Sequence, residues 1–180
     1  MWTQDEAQVR IPEDYGPAFE CIRRRKIRKV KVLSIGGYLP RQLCWLLEAL
    51  PNMRCLDLSP CKDALFNYAI ERSIGTQKFA SLTNINLESC YRLSDNSVRC
   101  ISEHCPNLEE LYLAFCRLIM DSSMRYVVQK MVKLKMLHIT QSRVRDSGWK
   151  VLGGITDNLP LDALGGGALE SLYFSLVAAT

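Results

Sequence analysis

The stretch Leu82-Thr-Asn-Ile-Asn-Leu-Glu-Ser-Cys90 returns 26 residues later as Leu108-Glu-Glu-Leu-Tyr-Leu-Ala-Phe-Cys116. The match runs on without a gap: Leu93 falls on Ile119, Asp95 on Asp121, Ser97 on Ser123 and Val98 on Met124. Positions four and six of this unit are two apart, so in an extended strand both side chains share one face. Position one turns in from the preceding loop. Position nine is a cysteine in both copies, and a small, mostly apolar thiol suits a tight turn into an interior. A helix is predicted next, because Val98, Ile101 and Cys105 recur at helical spacing. Ser94-Asp95 and Asp121-Ser122 offer side-chain oxygens to cap the helices they open. Pro106-Asn107 ends the helix and begins the next strand.

Working outward, three more units fit the pattern. They are Val30-Lys-Val-Leu33-Ser-Ile35, Met53-Arg-Cys-Leu56-Asp-Leu58-Ser-Pro-Cys61 and Leu134-Lys-Met-Leu137-His-Ile139-Thr-Gln-Ser142. Starts at 30, 53, 82, 108 and 134 are 23, 29, 26 and 26 residues apart. That variation is assigned to the helical leg, where insertions cost little. Leu43, Leu46, Leu47 and Leu50 predict a helix in the first unit, and Trp149 and Leu152 a short one in the last. A fixed period in the twenties with an L-x-x-L-x-L-x-x-C core is the signature of a leucine-rich repeat. One unit cannot bury its own apolar face, but stacked neighbours can. The predicted fold is therefore α/β: a right-handed leucine-rich-repeat solenoid, or horseshoe, with a parallel sheet on the concave face and helices on the convex face.

Three segments follow. Residues 1–29 are an N-terminal cap with a basic segment, and 1–20 show no periodicity. Residues 30–152 hold about five repeats. Residues 153–180 are irregular, with Leu169, Leu172 and Phe174 able to begin a partial sixth repeat. The chain ends on apolar Leu176-Val-Ala-Ala-Thr180. A solenoid needs a polar terminal cap, so this segment is expected either to fold back as an irregular cap or to mark a truncated array, the second being the preferred reading.

Apolar residues make up 48% and charged residues 23% of the 180, which fits a globular chain and argues against disorder. A net charge of +4 is too mild to imply nucleic acid by itself. Eight cysteines include Cys61, Cys90 and Cys116 at position nine, and no C-x-x-C occurs. Free structural thiols in a reducing compartment, cytosol or nucleus, are expected rather than disulfides or zinc. The acidic start is unlike a signal peptide, and no apolar run reaches membrane-spanning length. Six of the nine positions in Cys21-Ile-Arg-Arg-Arg-Lys-Ile-Arg-Lys29 are basic. The run Arg23–Lys29 could serve nuclear import or phosphate contact. A solvated face with Ile22 and Ile27 turned inward is the preferred reading. No aromatics are interleaved for base stacking, so nucleic acid is not an expected partner.

If positions four and six point inward, positions three, five and seven point outward. In the first unit these are Val32, Ser34 and Gly36. The central units supply the candidate protein-binding residues Asn84, Asn86, Glu88, Glu110, Tyr112, Met136 and His138. Tyr112 sits among polar neighbours, the usual composition of a binding hot spot, although a surface tyrosine without a partner has the same pattern. Phe115 is expected to pack at the rim of the sheet. Catalysis is not expected. His104 adjoins Cys105, but sequence neighbours need not face each other on a helix, and no orienting group follows. Gly165-Gly-Gly167 lacks the lysine and spacing of a phosphate loop. No catalytic residue, metal ligand or cofactor is assigned.

The unit L-x-x-L-x-L followed by C-x-x-[IL]-[ST]-D resembles the cysteine-containing repeats of F-box/leucine-rich-repeat proteins. The likeness is clearest in Leu87-Glu-Ser-Cys-Tyr-Arg-Leu-Ser-Asp95 and covers about residues 20–152. Lys26–Ile35 with the Met53–Cys61 unit looks like the start of the repeat domain in the Partner-of-paired group. The resemblance implies a substrate-recognition module of an SCF ubiquitin ligase, with a substrate protein captured on the concave face. It also implies Skp and cullin partners, but only if an F-box exists upstream. No F-box is found before the first repeat here, so that link carries over to no residue of this sequence. The alternative expectation is a standalone repeat scaffold or adaptor without ligase involvement.

Overall fold

A computed structural model describes residues 6–11, 24, 27–35, 39–50, 52–64, 67–152 and 171–173. Strands and helices alternate along it. They are β1 Glu6–Ile11, β2 Lys29–Ile35, α1 Leu39–Ala49, β3 Cys55–Asp57, a 3-10 segment Ser59–Ala64 and α2 Asn67–Ser73. Then come β4 Asn84–Asn86, α3 Asp95–His104, β5 Glu110–Tyr112, α4 Asp121–Lys130, β6 Met136–His138, α5 Asp146–Leu152 and β7 Ser171–Tyr173. The described strands form one parallel sheet in sequence order, β1 through β7. Consecutive helices pack side by side. The fold class is α/β, as the alternation predicts.

Each of β3 to β6 buries only its middle residue. These residues, Leu56, Ile85, Leu111 and Leu137, pair in register from strand to strand. They join Leu58, Leu87, Leu113 and Ile139, and helix residues such as Leu46, Ile70, Ile101 and Met124, in one core. The position-two carbonyl of each rung takes two N–H groups from the next. Thr83 O accepts from Glu109 N at 2.8 Å and Glu110 N at 2.9 Å, and Glu109 O accepts from Lys135 N at 2.7 Å and Met136 N at 3.0 Å. The turns after β4, β5 and β6 place a left-handed residue at position eight: Ser89 and Phe115 at φ 62°, Gln141 at φ 59°. Such a conformation costs about 1–2 kcal/mol without glycine. The N–H it presents bonds to the next rung, Ser89 N to Ala114 O at 2.8 Å and Phe115 N to Thr140 O at 2.7 Å.

The first unit is shifted by three residues from its expected register. Val30, not Leu33, pairs with Leu56. Val30 and Val32 are buried, Ile27 is buried at position one, and Leu33 is partly exposed. Leu33 is the extra residue of a bulge, since Val9 pairs with Val32 and Arg10 with Ser34. The unit thus begins at Ile27, 26 residues before Met53. Val32 is therefore a core residue and not an outward candidate, while Gly36 lies outside the described residues. The expected boundary at residues 29 and 30 falls inside β2.

Upstream, Glu6–Ile11 is a strand of the same sheet with Ala7 fully buried, although the sequence there shows no periodicity. Six residues are too few to display a repeat. Downstream, Leu172 pairs with Leu137, which places the partial sixth strand in register. Ile22, Arg23, Arg25, Lys26, Leu169, Phe174, the glycine runs 153–154 and 165–167 and the apolar end 176–180 lie outside the described residues.

The position-nine thiols tie rungs together. Cys61 Sγ reaches Val32 O at 3.7 Å, Cys90 Sγ reaches Leu58 O at 3.7 Å, and Cys116 Sγ donates to Leu87 O at 3.1 Å. Each acceptor is position six of the preceding rung. Ser142 departs from this, its hydroxyl facing Ile139 O of its own rung at 3.4 Å.

Capping also crosses between rungs. Asp95 does not cap its own helix: its Oδ1 accepts from Met120 N at 2.7 Å, and its carboxylate takes the Ser122 and Ser123 hydroxyls. Asp121 likewise accepts from Arg145 N at 2.6 Å and from the Ser147 hydroxyl. Asn67 does the same one rung earlier, accepting from Ser94 N at 2.8 Å and Ser97 Oγ at 2.7 Å. Neighbouring helix starts lie so close that a short side chain reaches the next orphan N–H groups more readily than its own. Gly148 takes the place of Ser97 and Ser123 in the last rung, where a Cβ would stand 2.8 Å from Asp121 Oδ1.

Candidate protein-binding face

With alternate strand residues buried against the helices, positions three and five stand on the opposite face of the sheet, which no described helix covers. All seven candidate residues, Asn84, Asn86, Glu88, Glu110, Tyr112, Met136 and His138, are half-exposed there. The structure joins six of them through hydrogen bonds and a ring contact. Asn84 Nδ2 donates to Glu110 Oε2. The Tyr112 hydroxyl donates to the same oxygen at 3.0 Å and lies 3.1 Å from Met136 Sδ. The Tyr112 ring meets His138 edge-on, with centroids 6.1 Å apart at 90°. His138 Nδ1 lies 2.8 Å from Glu88 Oε1. Because a carboxylate only accepts, Nδ1 carries the proton. The seventh residue, Asn86, accepts from Glu88 N at 3.0 Å and fixes the backbone where Glu88 leaves the strand.

Glu88 and His138 are 50 residues apart and belong to rungs that are not adjacent. Between them lies the rung of Tyr112 and Ala114. Ala114, at position seven, is buried. Its small side chain leaves room above the sheet for Glu88 to reach across. Phe115, expected to pack at the rim, is 45% exposed. Its backbone is left-handed, at φ 62°.

The corrected register adds two residues that the sequence reading missed. Lys29 and Lys31 occupy positions three and five of β2. Lys31 Nζ lies 2.9 Å from Asp57 Oδ2, and Asp57 Oδ1 accepts from Ser59 N at 3.0 Å and Ser59 Oγ at 2.6 Å. Burial pushes the Asp57 carboxyl up, but the bonds from Ser59 and Lys31 together outweigh it and hold it below the ordinary carboxylate range. The spacing of 26 back from Met53 was the signal that could have found these lysines.

Elsewhere the chemistry is that of a packed interior. Burial pushes the Cys61, Cys105 and Cys116 thiols up to about 12 and Cys100 to about 11, so they stay protonated at neutral pH. His104 turns its Nδ1 to Cys100 O at 2.9 Å. All seven described cysteines are free. Among the described residues, no group of three or more His, Cys, Asp or Glu could hold a metal ion, and no helix is long and apolar enough to cross a membrane. Comparison of the sequence with models of known protein families finds no match.

Proposed function

We propose that this chain is a protein-interaction module, a right-handed leucine-rich-repeat solenoid that holds a client protein on its concave sheet face. The solenoid reading is supported by the one-directional strand order and by thiol and carboxylate bonds that recur from rung to rung. The binding reading is carried by one observation: Tyr112 stands half-exposed on the open sheet, fixed by Glu110 and His138. An aromatic held in place by polar neighbours loses little freedom on binding, which is the physical character of a hot spot. By its resemblance to F-box/leucine-rich-repeat proteins, the client is a substrate presented to an SCF ubiquitin ligase in the cytosol or nucleus. No catalytic residue or cofactor is assigned.

Affinity capture with the wild-type chain and with Tyr112→Ala/His138→Ala tests the face. Loss of captured protein in the variant is expected, and equal capture by a folded variant rejects this surface. The alternative is a scaffold without ligase involvement, which uses the same face. Co-purification of the full-length protein with Skp and cullin subunits separates the two: recovery supports the ligase reading, and its absence favours the scaffold.

A further inference from the structure

The uncovered sheet face changes in character between its two halves. On β2 and β3 the Asp57 carboxylate is closed by Lys31 at 2.9 Å. On β4 to β6 the carboxylates have other partners. Glu110 accepts from Asn84 and from the Tyr112 hydroxyl, and Glu88 accepts from His138. Among the described residues, no lysine or arginine lies within ion-pair distance of Glu88 or Glu110. The Asn84 amide and the Tyr112 hydroxyl, both neutral, occupy lone pairs of Glu110 without cancelling its charge. Negative charge therefore gathers on this half, with the Tyr112 ring standing in the chain of contacts that links the two carboxylates.

We propose that the β4–β6 face binds an arginine-bearing peptide segment of a partner protein, with the guanidinium over the Tyr112 ring and hydrogen-bonded to Glu88 or Glu110. This rests on the reading of the face as a protein-binding surface and names the chemistry of its partner. Arginine fits better than lysine, because its planar fork matches carboxylates and stacks on an aromatic ring. The cation also relieves repulsion between carboxylates on neighbouring strands. Exposed Lys29 repels the same side chain from β2, where Lys31 is already paired with Asp57, so charge sets where along the sheet the segment lies. Phosphate-bearing ligands meet like charge on β4–β6 and are repelled.

The test pans a library of short random peptides against the wild-type chain at low salt and sequences what binds. The peptides are then titrated against wild type, Tyr112→Ala and the isosteric pair Glu88→Gln/Glu110→Gln. Arginine-containing peptides are expected to be enriched. Their affinity should fall about tenfold or more in the glutamine pair, as charge-assisted bonds are lost. Replacing the peptide arginine with neutral citrulline should cause a similar loss on the intact wild-type protein, so the result does not depend on the variant's folding. Enriched peptides without arginine, bound through Tyr112, would overturn this inference and leave the protein-binding face standing. Peptides that bind every variant equally, or no enrichment at all, would overturn both.

Discussion

The first rung and the two central rungs solve the same packing problem with different precision. In the central pair the strand core, thiol and helix-opening carboxylate repeat at 26 residues: Ile85 pairs with Leu111, Cys116 bonds back to the Leu87 carbonyl, and Asp95 bonds forward to Met120 N. In the first rung the core is β-branched, a bulge falls at Leu33, and the strand runs on to Ile35 beside β1. On the other face of the sheet Lys31 of the first rung pairs with Asp57, whereas in the central rungs Glu110 takes the neutral Asn84 and Tyr112 donors and Glu88 faces His138. The difference teaches that the stacking interior is tightly constrained, while the open face is free to vary from rung to rung.

The largest expected effect is common to both regions. Cys61, Cys105 and Cys116 have thiols raised from 9.0 to about 12 in the folded protein. Their stabilising contribution is intact below pH 9 and is lost as pH rises towards the folded value, at up to about 1.4 kcal/mol per thiol per pH unit. Urea denaturation between pH 8 and 11 should show stability falling steeply above pH 9. Cys61→Ala/Cys116→Ala should flatten that slope, and an unchanged slope would show that these thiols are not its source.

Next comes the core of the two regions. Leu111 is fully buried, and Leu111→Ala should cost about 2–5 kcal/mol. Leu33→Ala, at the partly exposed bulge, should cost less than about 1 kcal/mol. Equal losses in chemical denaturation would restore the register with Leu33 inside. The interlocking of the central helices is smaller. Asp95→Ala removes the acceptor for Met120 N and two serine hydroxyls and should cost about 1–2 kcal/mol. Asp95→Asn keeps an acceptor oxygen and should cost less, and hydrogen exchange at Met120 should quicken in both.

The smallest effect belongs to the ion pair of the first rungs. Lys31 and Asp57 are partly exposed, so Lys31→Met should cost no more than about 1 kcal/mol. Because the folded Asp57 carboxyl lies below its ordinary range, its contribution is present above the unfolded value and fades as pH falls through the folded one. Lys31→Met should weaken this acid dependence, which thermal melts between pH 6 and 2 would read.

The sequence by itself determined the period, the α/β class, the inward positions Leu56, Ile85, Leu111 and Leu137, and the place of the thiols. These follow from local periodicity, which a chain displays residue by residue. It also indicated which side chains of β4 to β6 face outward, because strand alternation is local too. Tertiary structure decided the rest. Ile27, Val30 and Val32 fit the apolar pattern as well as Val30, Leu33 and Ile35 do, and only stacking against Leu56, with Cys61 on the Val32 carbonyl, selects between them. The acids that open α3 and α4 have side chains that could cap their own helices, and only the spacing between rungs sends each to the next one. The reach of Glu88 over Ala114 to His138 depends on three rungs held side by side, a relation between residues distant in the chain that no local pattern encodes.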